Sequence, residues 1–121
     1  MPSWDLPLWL ESLTRVAPST RDVYSRDMRD AVLWLETQRV DSPNAATRRH
    51  LRRYLAFLDS EGYARRTTAR KASVVRRYFD WARRTDRADS DPAAGLSAPR
   101  GSSTLPRILS AAELDALVEG T

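Results

Sequence analysis

Arg66, Arg70, Ser73, Arg77 and Arg84 recur through the stretch "RRTTARKASVVRRYFDWARR" at 65–84, which carries eight cations, three aromatic rings and one acid, Asp80. Each guanidinium is a planar fork of N–H donors that fits a pair of phosphate oxygens or the O6/N7 edge of guanine. A serine hydroxyl among them adds a further phosphate partner. On a helical wheel these five residues fall within about 40° of one line, opposite the apolar stripe of Thr68, Ala72, Val75, Phe79 and Ala82. A solvated helix face usually mixes signs through i,i+4 pairs, whereas like charges at that spacing repel. The pattern therefore suits a polyanion, and an ordinary wet face is the alternative.

The charge of the whole chain sharpens this reading. The 121 residues carry a net charge of +4, with a pI near 10.1. Residues 48–84 hold twelve Arg/Lys against Asp59, Glu61 and Asp80, a net of +9, between two mildly acidic flanks. All but one of the cations are arginine.

Other chemistries find less support. There is no cysteine and a single histidine, His50, so thiolate chemistry and His/Cys metal ligation lack their residues, and no metal is expected. His50 sits among Arg48, Arg49, Arg52 and Arg53, where a surface or phosphate-contacting role is expected. No glycine-rich phosphate loop occurs, and no cofactor or small-molecule ligand is implied. The four tyrosines, 24, 54, 63 and 78, lie within or beside helices, two of them on apolar stripes, so no catalytic residue is expected among them. No apolar run reaches the roughly 20 residues of a membrane span, and "MPSWDLPLWL" lacks the pattern of a signal peptide. The chain reads as cytoplasmic.

The elements that must position the basic line are helical. Apolar residues make up 41% of the chain, glycine is scarce, and no long alternating run favours a sheet. Leu6, Trp9, Leu10 and Leu13 mark a first helix over about 4–15. Tyr24, Met28, Ala31 and Leu35 mark a second over about 20–38, with Ser19 as its cap. Leu51, Tyr54, Leu55 and Leu58 mark a third, capped by Asn44 or Thr47 and stopped at Gly62. The fourth opens at Thr67 or the residue before it. Trp9, Trp34 and Trp81 are expected to pack inward and Trp4 to lie at the edge, where it could touch a neighbouring protomer. Residues 86–109, rich in Pro, Gly, Ser and Asp, read as a linker. Ser110 and Glu113 then form a capping box ahead of Leu114, Leu117 and Val118.

The order of "APSTRDVYSRDM", "TRRHLRRYLAFLDSEGYARRTTARKASVVRRYFDW", "DPAAGLSAPR" and "LPRILSAAELDAL" resembles the N-terminal core-binding domain of Xer-type tyrosine recombinases, a SAM-like domain of the phage-integrase family. The resemblance runs from about Leu8 to Val118. It includes a rhythm of Thr67, Arg70, Ser73 and Arg76 that the family writes with serine first, and it departs at Ala72, where leucine is usual. It implies an all-α, four-helix orthogonal bundle over residues 1–85, a linker over 86–109, and over 110–121 the first helix of a catalytic domain otherwise absent.

By the same resemblance the bundle lies over one face of double-stranded DNA as half of a clamp. Its second and fourth helices enter the major groove, with Thr20 and Arg21 from one and Arg66, Thr67, Arg70 and Lys71 from the other. Ser73 and Arg77 come next as phosphate partners. The parent would join DNA through a covalent 3'-phosphotyrosine, would assemble as a tetramer on paired sites with partner recombinase protomers, and would resolve chromosome dimers. This chain would bind without cutting. The alternatives are the DNA-binding domain of a phage or transposon integrase, which keeps the chemistry, and a helical protein-interaction module whose basic ridge meets an acidic partner. RNA is less favoured, because exposed aromatic platforms are not evident in the sequence.

Overall fold

The computed structural model describes residues 4–97, which form four α-helices and no strand: α1 (Leu6–Ser12), α2 (Pro18–Thr37), α3 (Arg48–Ser60) and α4 (Arg65–Arg84), with a 3-10 turn at Pro43–Ala45 between α2 and α3. The all-helical expectation holds. Two boundaries differ from the periodicity reading. The first helix is shorter, because its chain turns out of helical geometry at Leu13 (φ −87°, ψ 61°). The second begins before Ser19, since Pro18 occupies the first turn, where its fixed φ favours the helix and its missing N–H leaves nothing unsatisfied.

Helix ends follow simple backbone rules. Thr47 caps α3: its hydroxyl accepts from the His50 N–H at 3.2 Å, and its own N–H donates to His50 Nδ1 at 3.1 Å. His50 thus closes a capping box in the place a glutamate usually takes, a structural role for a half-buried side chain at the surface. The C-terminal ends of α2, α3 and α4 share one device. Arg39, Gly62 and Asp86 adopt positive φ (64°, 85° and 62°). In each case the next residue's N–H returns to a carbonyl in the last turn: Val40 to Leu35, Tyr63 to Leu58 and Arg87 to Ala82. This geometry satisfies carbonyls left open at a helix end.

The core lies where α4 meets α2 and α3. Met28, Ala31 and Leu35 of α2, Leu51, Leu55 and Leu58 of α3, and Ala72, Val75, Phe79 and Ala82 of α4 are buried together. A cluster of rings closes one end: Tyr78 stands 5.6 Å from Trp9, 5.2 Å from Phe79 and 6.1 Å from Trp4 between centroids. Trp4, placed at the edge by sequence, is instead only 2% exposed. It fills the space beside Tyr78 and Phe79, which corrects the expectation that it could meet a neighbouring protomer.

The chain does not leave the bundle after α4. Ala88, Ala93 and Leu96 are buried in the same core. Arg48 donates to the Ala94 carbonyl at 2.6 Å and Arg76 to the Leu96 carbonyl at 2.5 Å. The stretch 86–96, read as linker because it lacks any period, is therefore a packed part of the helical body. The expected helix at 110–121 lies outside the described residues.

Candidate nucleic-acid interface

Buried side chains cover one side of α4 and leave Arg66, Arg70 and Arg77 exposed and Thr67 and Ser73 half-buried. Arg66 makes no ion pair among the described residues. Arg77 is exposed, with its guanidinium 5.5 Å from the Tyr24 ring of α2. Arg84 pairs with Asp80 at 2.9 Å, both side chains well exposed, an i,i+4 surface pair of small energetic weight.

Three of the expected contact residues are engaged inside the bundle. The Arg21 guanidinium donates to the Leu13 and Val16 carbonyls at 2.9 and 3.5 Å and so fastens the α1–α2 connection. Thr20 beside it is half-buried. Lys71 has a side chain 5% exposed, and its Nζ lies 3.0 Å from Asp27 Oδ1 and 3.5 Å from Asp30 Oδ2. Its ammonium faces α2 rather than solvent, so the expectation that it could extend to a phosphate gives way to an internal ion pair. Arg70 donates through Nε to Asp27 Oδ2 at 2.8 Å and through Nη2 to Oδ1 at 3.1 Å, yet its side chain remains 43% exposed.

Asp27 is the residue the sequence reading passed over. It occupies the buried face of α2 next to Met28 and is 3% exposed. Burial pushes its carboxyl pKa up, but hydrogen bonds and charge from Arg70 and Lys71 outweigh this and hold it below the usual aspartate value. The legible signal was a carboxylate on an apolar stripe, in a bundle whose neighbouring helix is strongly basic, since a buried charge must be paired.

Positive charge extends beyond the α4 line. Arg49, Arg52 and Arg53 of α3 are exposed. Arg15, Arg77 and Arg84, with Asp80, also line a groove of about 330 Å³ between the α1–α2 connection and α4, floored by Trp9 and Trp81. Among the described residues no group of three His, Cys, Asp or Glu could hold a metal ion, and no helix is long and apolar enough to cross a membrane. Burial raises the phenol pKa values of Tyr54 and Tyr78, the opposite of what a nucleophile needs.

Four short-linked helices with one outward basic ridge define a small helical domain suited to an extended anion. The sequence model of the phage integrase N-terminal SAM-like domain matches residues 6–86, and the chain belongs to that family. It is 35% identical to the tyrosine recombinase XerC of Azotobacter vinelandii over 96% of its own length and 40% of the relative's. It is 31% identical to the tyrosine recombinase XerD of Bifidobacterium longum, over 86% of this chain and 34% of that one. The chain thus spans about two-fifths of the length of these relatives, or less. An integrase from mycobacterium phage Brujita shares the fold, with a TM-score of 0.63 at 16% identity, covering 96% of this chain and 39% of the integrase.

Proposed function

We propose that this chain binds duplex DNA in a sequence-dependent way, as the N-terminal half of the clamp of a site-specific tyrosine recombinase. One observation carries the reading: Arg66, Arg70, Ser73 and Arg77 share an outward line of α4 in a chain about a third identical to proteins named tyrosine recombinases. Thr20, Thr67 and the N-terminal turns of α2 and α4 complete the face laid on the groove. Arg66 and Arg77 neutralise phosphates, whereas Arg70 can read a base. Arg21 and Lys71 support the face from within.

We infer the finer role from the resemblance to Xer-type tyrosine recombinases. The full protein would exchange strands through a covalent phosphotyrosine supplied outside these 121 residues. It would work in a tetramer of recombinase protomers on paired sites, in the cytoplasm, and in chromosome dimer resolution. The test is a gel shift with duplex DNA at about 100 mM salt, then a salt titration. Affinity should fall with salt at a log–log slope of about −0.9 per phosphate neutralised. Absence of any shift would overturn the reading and favour an acidic protein partner for the same ridge.

A further inference from the structure

The Asp27–Arg70 pair has a geometry that a stabilising surface contact does not require. Asp27 takes the guanidinium by its side edge, Nε and Nη2, with both oxygens engaged. Arginine has five N–H donors. Two are used here, and of the three that remain one on Nη1 and one on Nη2 form the end edge of the fork. That end edge is the one that can meet guanine O6 and N7 side by side. Asp27 is itself fixed, being buried and held also by Lys71, whose Nζ donates to the same Oδ1 at 3.0 Å. Among the described residues, Arg70 is therefore the arginine of the basic ridge whose plane is set by a buried carboxylate: Arg77 rests on the Tyr24 ring, and the partner of Arg84 is the exposed Asp80.

We infer that Asp27 is a positioning residue for base recognition, aiming the free edge of Arg70 at a guanine in the major groove. The inference rests on the duplex-binding reading above and adds to it which residue reads, which base is read and what orients the reader. A fork fixed before binding loses less conformational freedom on contact. Its fixed plane also favours one base-edge geometry over the many that a free arginine can offer to phosphates. Phosphate oxygens could accept the same fork, so the experiment must separate the two acceptors.

The full 121-residue chain and its variants Asp27→Asn, Arg70→Lys and Arg66→Ala would each select from a pool of random-sequence duplexes, with sequencing of the bound fraction. Wild type should prefer guanine at one position. Arg70→Lys keeps the charge but not the fork, and should lower that preference about tenfold while leaving the other positions intact. Asp27→Asn, provided its circular dichroism matches wild type, should do the same, and Arg66→Ala should weaken all sequences alike. Should Asp27→Asn fail to fold, relaxation of the Arg70 Nε–H signal in the free wild-type protein replaces it: rigidity above that of Arg66 supports the assignment, and equal mobility overturns it. An unchanged base preference in Arg70→Lys, or a uniform loss over all sequences, assigns Arg70 to the backbone and overturns the inference while DNA binding stands. Failure of wild type to bind any duplex overturns the underlying reading instead.

Discussion

The phenol of Tyr78 donates a 2.6 Å hydrogen bond to the backbone carbonyl of Trp4, joining residues 74 apart in sequence within a fully buried ring cluster. This bond holds the N-terminal segment against α4. Tyr78→Phe keeps the ring packing and leaves the Trp4 carbonyl unpaired, so unfolding stability should fall by about 1 kcal/mol. Urea denaturation of the two proteins would measure it, and an unchanged midpoint would show that the bond contributes nothing net.

Acid should loosen the seam between α2 and α4. The Asp27 pKa lies below its ordinary value because Arg70 and Lys71 outweigh the effect of burial. The unfolded chain therefore takes up this proton first. The stabilisation is complete above the unfolded aspartate value of about 4 and is lost as pH falls through the lower folded value. Denaturant midpoints between pH 6 and pH 2 should show this loss in wild type and a flatter acid limb in Asp27→Asn. At neutral pH that variant should be less stable by about 3–5 kcal/mol, since Lys71 is left buried without its main partner.

Ending the chain after Thr85 should destabilise the bundle. Leu96 and Ala93 are 3% and 0% exposed, and burial of a leucine side chain alone contributes about 1.5–3 kcal/mol. A protein of residues 1–97 should therefore be more stable than one of residues 1–85 by roughly 2–4 kcal/mol. Equal thermal midpoints would return residues 86–96 to the role of a tether.

Arg39 closes α2 at a φ of 64°, a conformation that glycine adopts without strain and other residues do not. Its side chain is exposed. Arg39→Gly should raise stability by about 0.5–1 kcal/mol, read from the shift of the thermal midpoint. A loss would mean that the side chain makes a compensating contact.

Phosphate contacts and base contacts should separate in a salt titration. Arg66→Ala removes an exposed guanidinium with no ion pair among the described residues, so duplex affinity should weaken for every sequence and the log–log salt slope should become shallower by about 0.9. A slope equal to wild type would place Arg66 away from the DNA.

Much of the bundle was legible because burying a helix face imposes a period. The stripes through Met28, Ala31 and Leu35, through Leu51, Tyr54, Leu55 and Leu58, and through Ala72, Val75, Phe79 and Ala82 are the stripes that are buried. Features without a period were missed. Trp4 and the stretch with Ala88, Ala93 and Leu96 contact the core one residue at a time, as irregular chain does. The outward line of α4 was also readable, since it is the complement of its stripe. Which of its cations are engaged internally was not. That depended on Asp27, whose carboxylate comes from another helix 43 residues away in sequence from Arg70.

The anchoring of Ala93 and Leu96 alters how far the rest of the chain can swing. Of the twenty-four residues at 86–109 expected to connect the bundle to a second domain, the first eleven are bound to it and thirteen are left. Fully stretched, thirteen residues reach about 45 Å, against about 80 Å for twenty-four. On the reading proposed above, a second domain beyond residue 109 would therefore be tethered from a point fixed near Leu96 rather than from the end of α4.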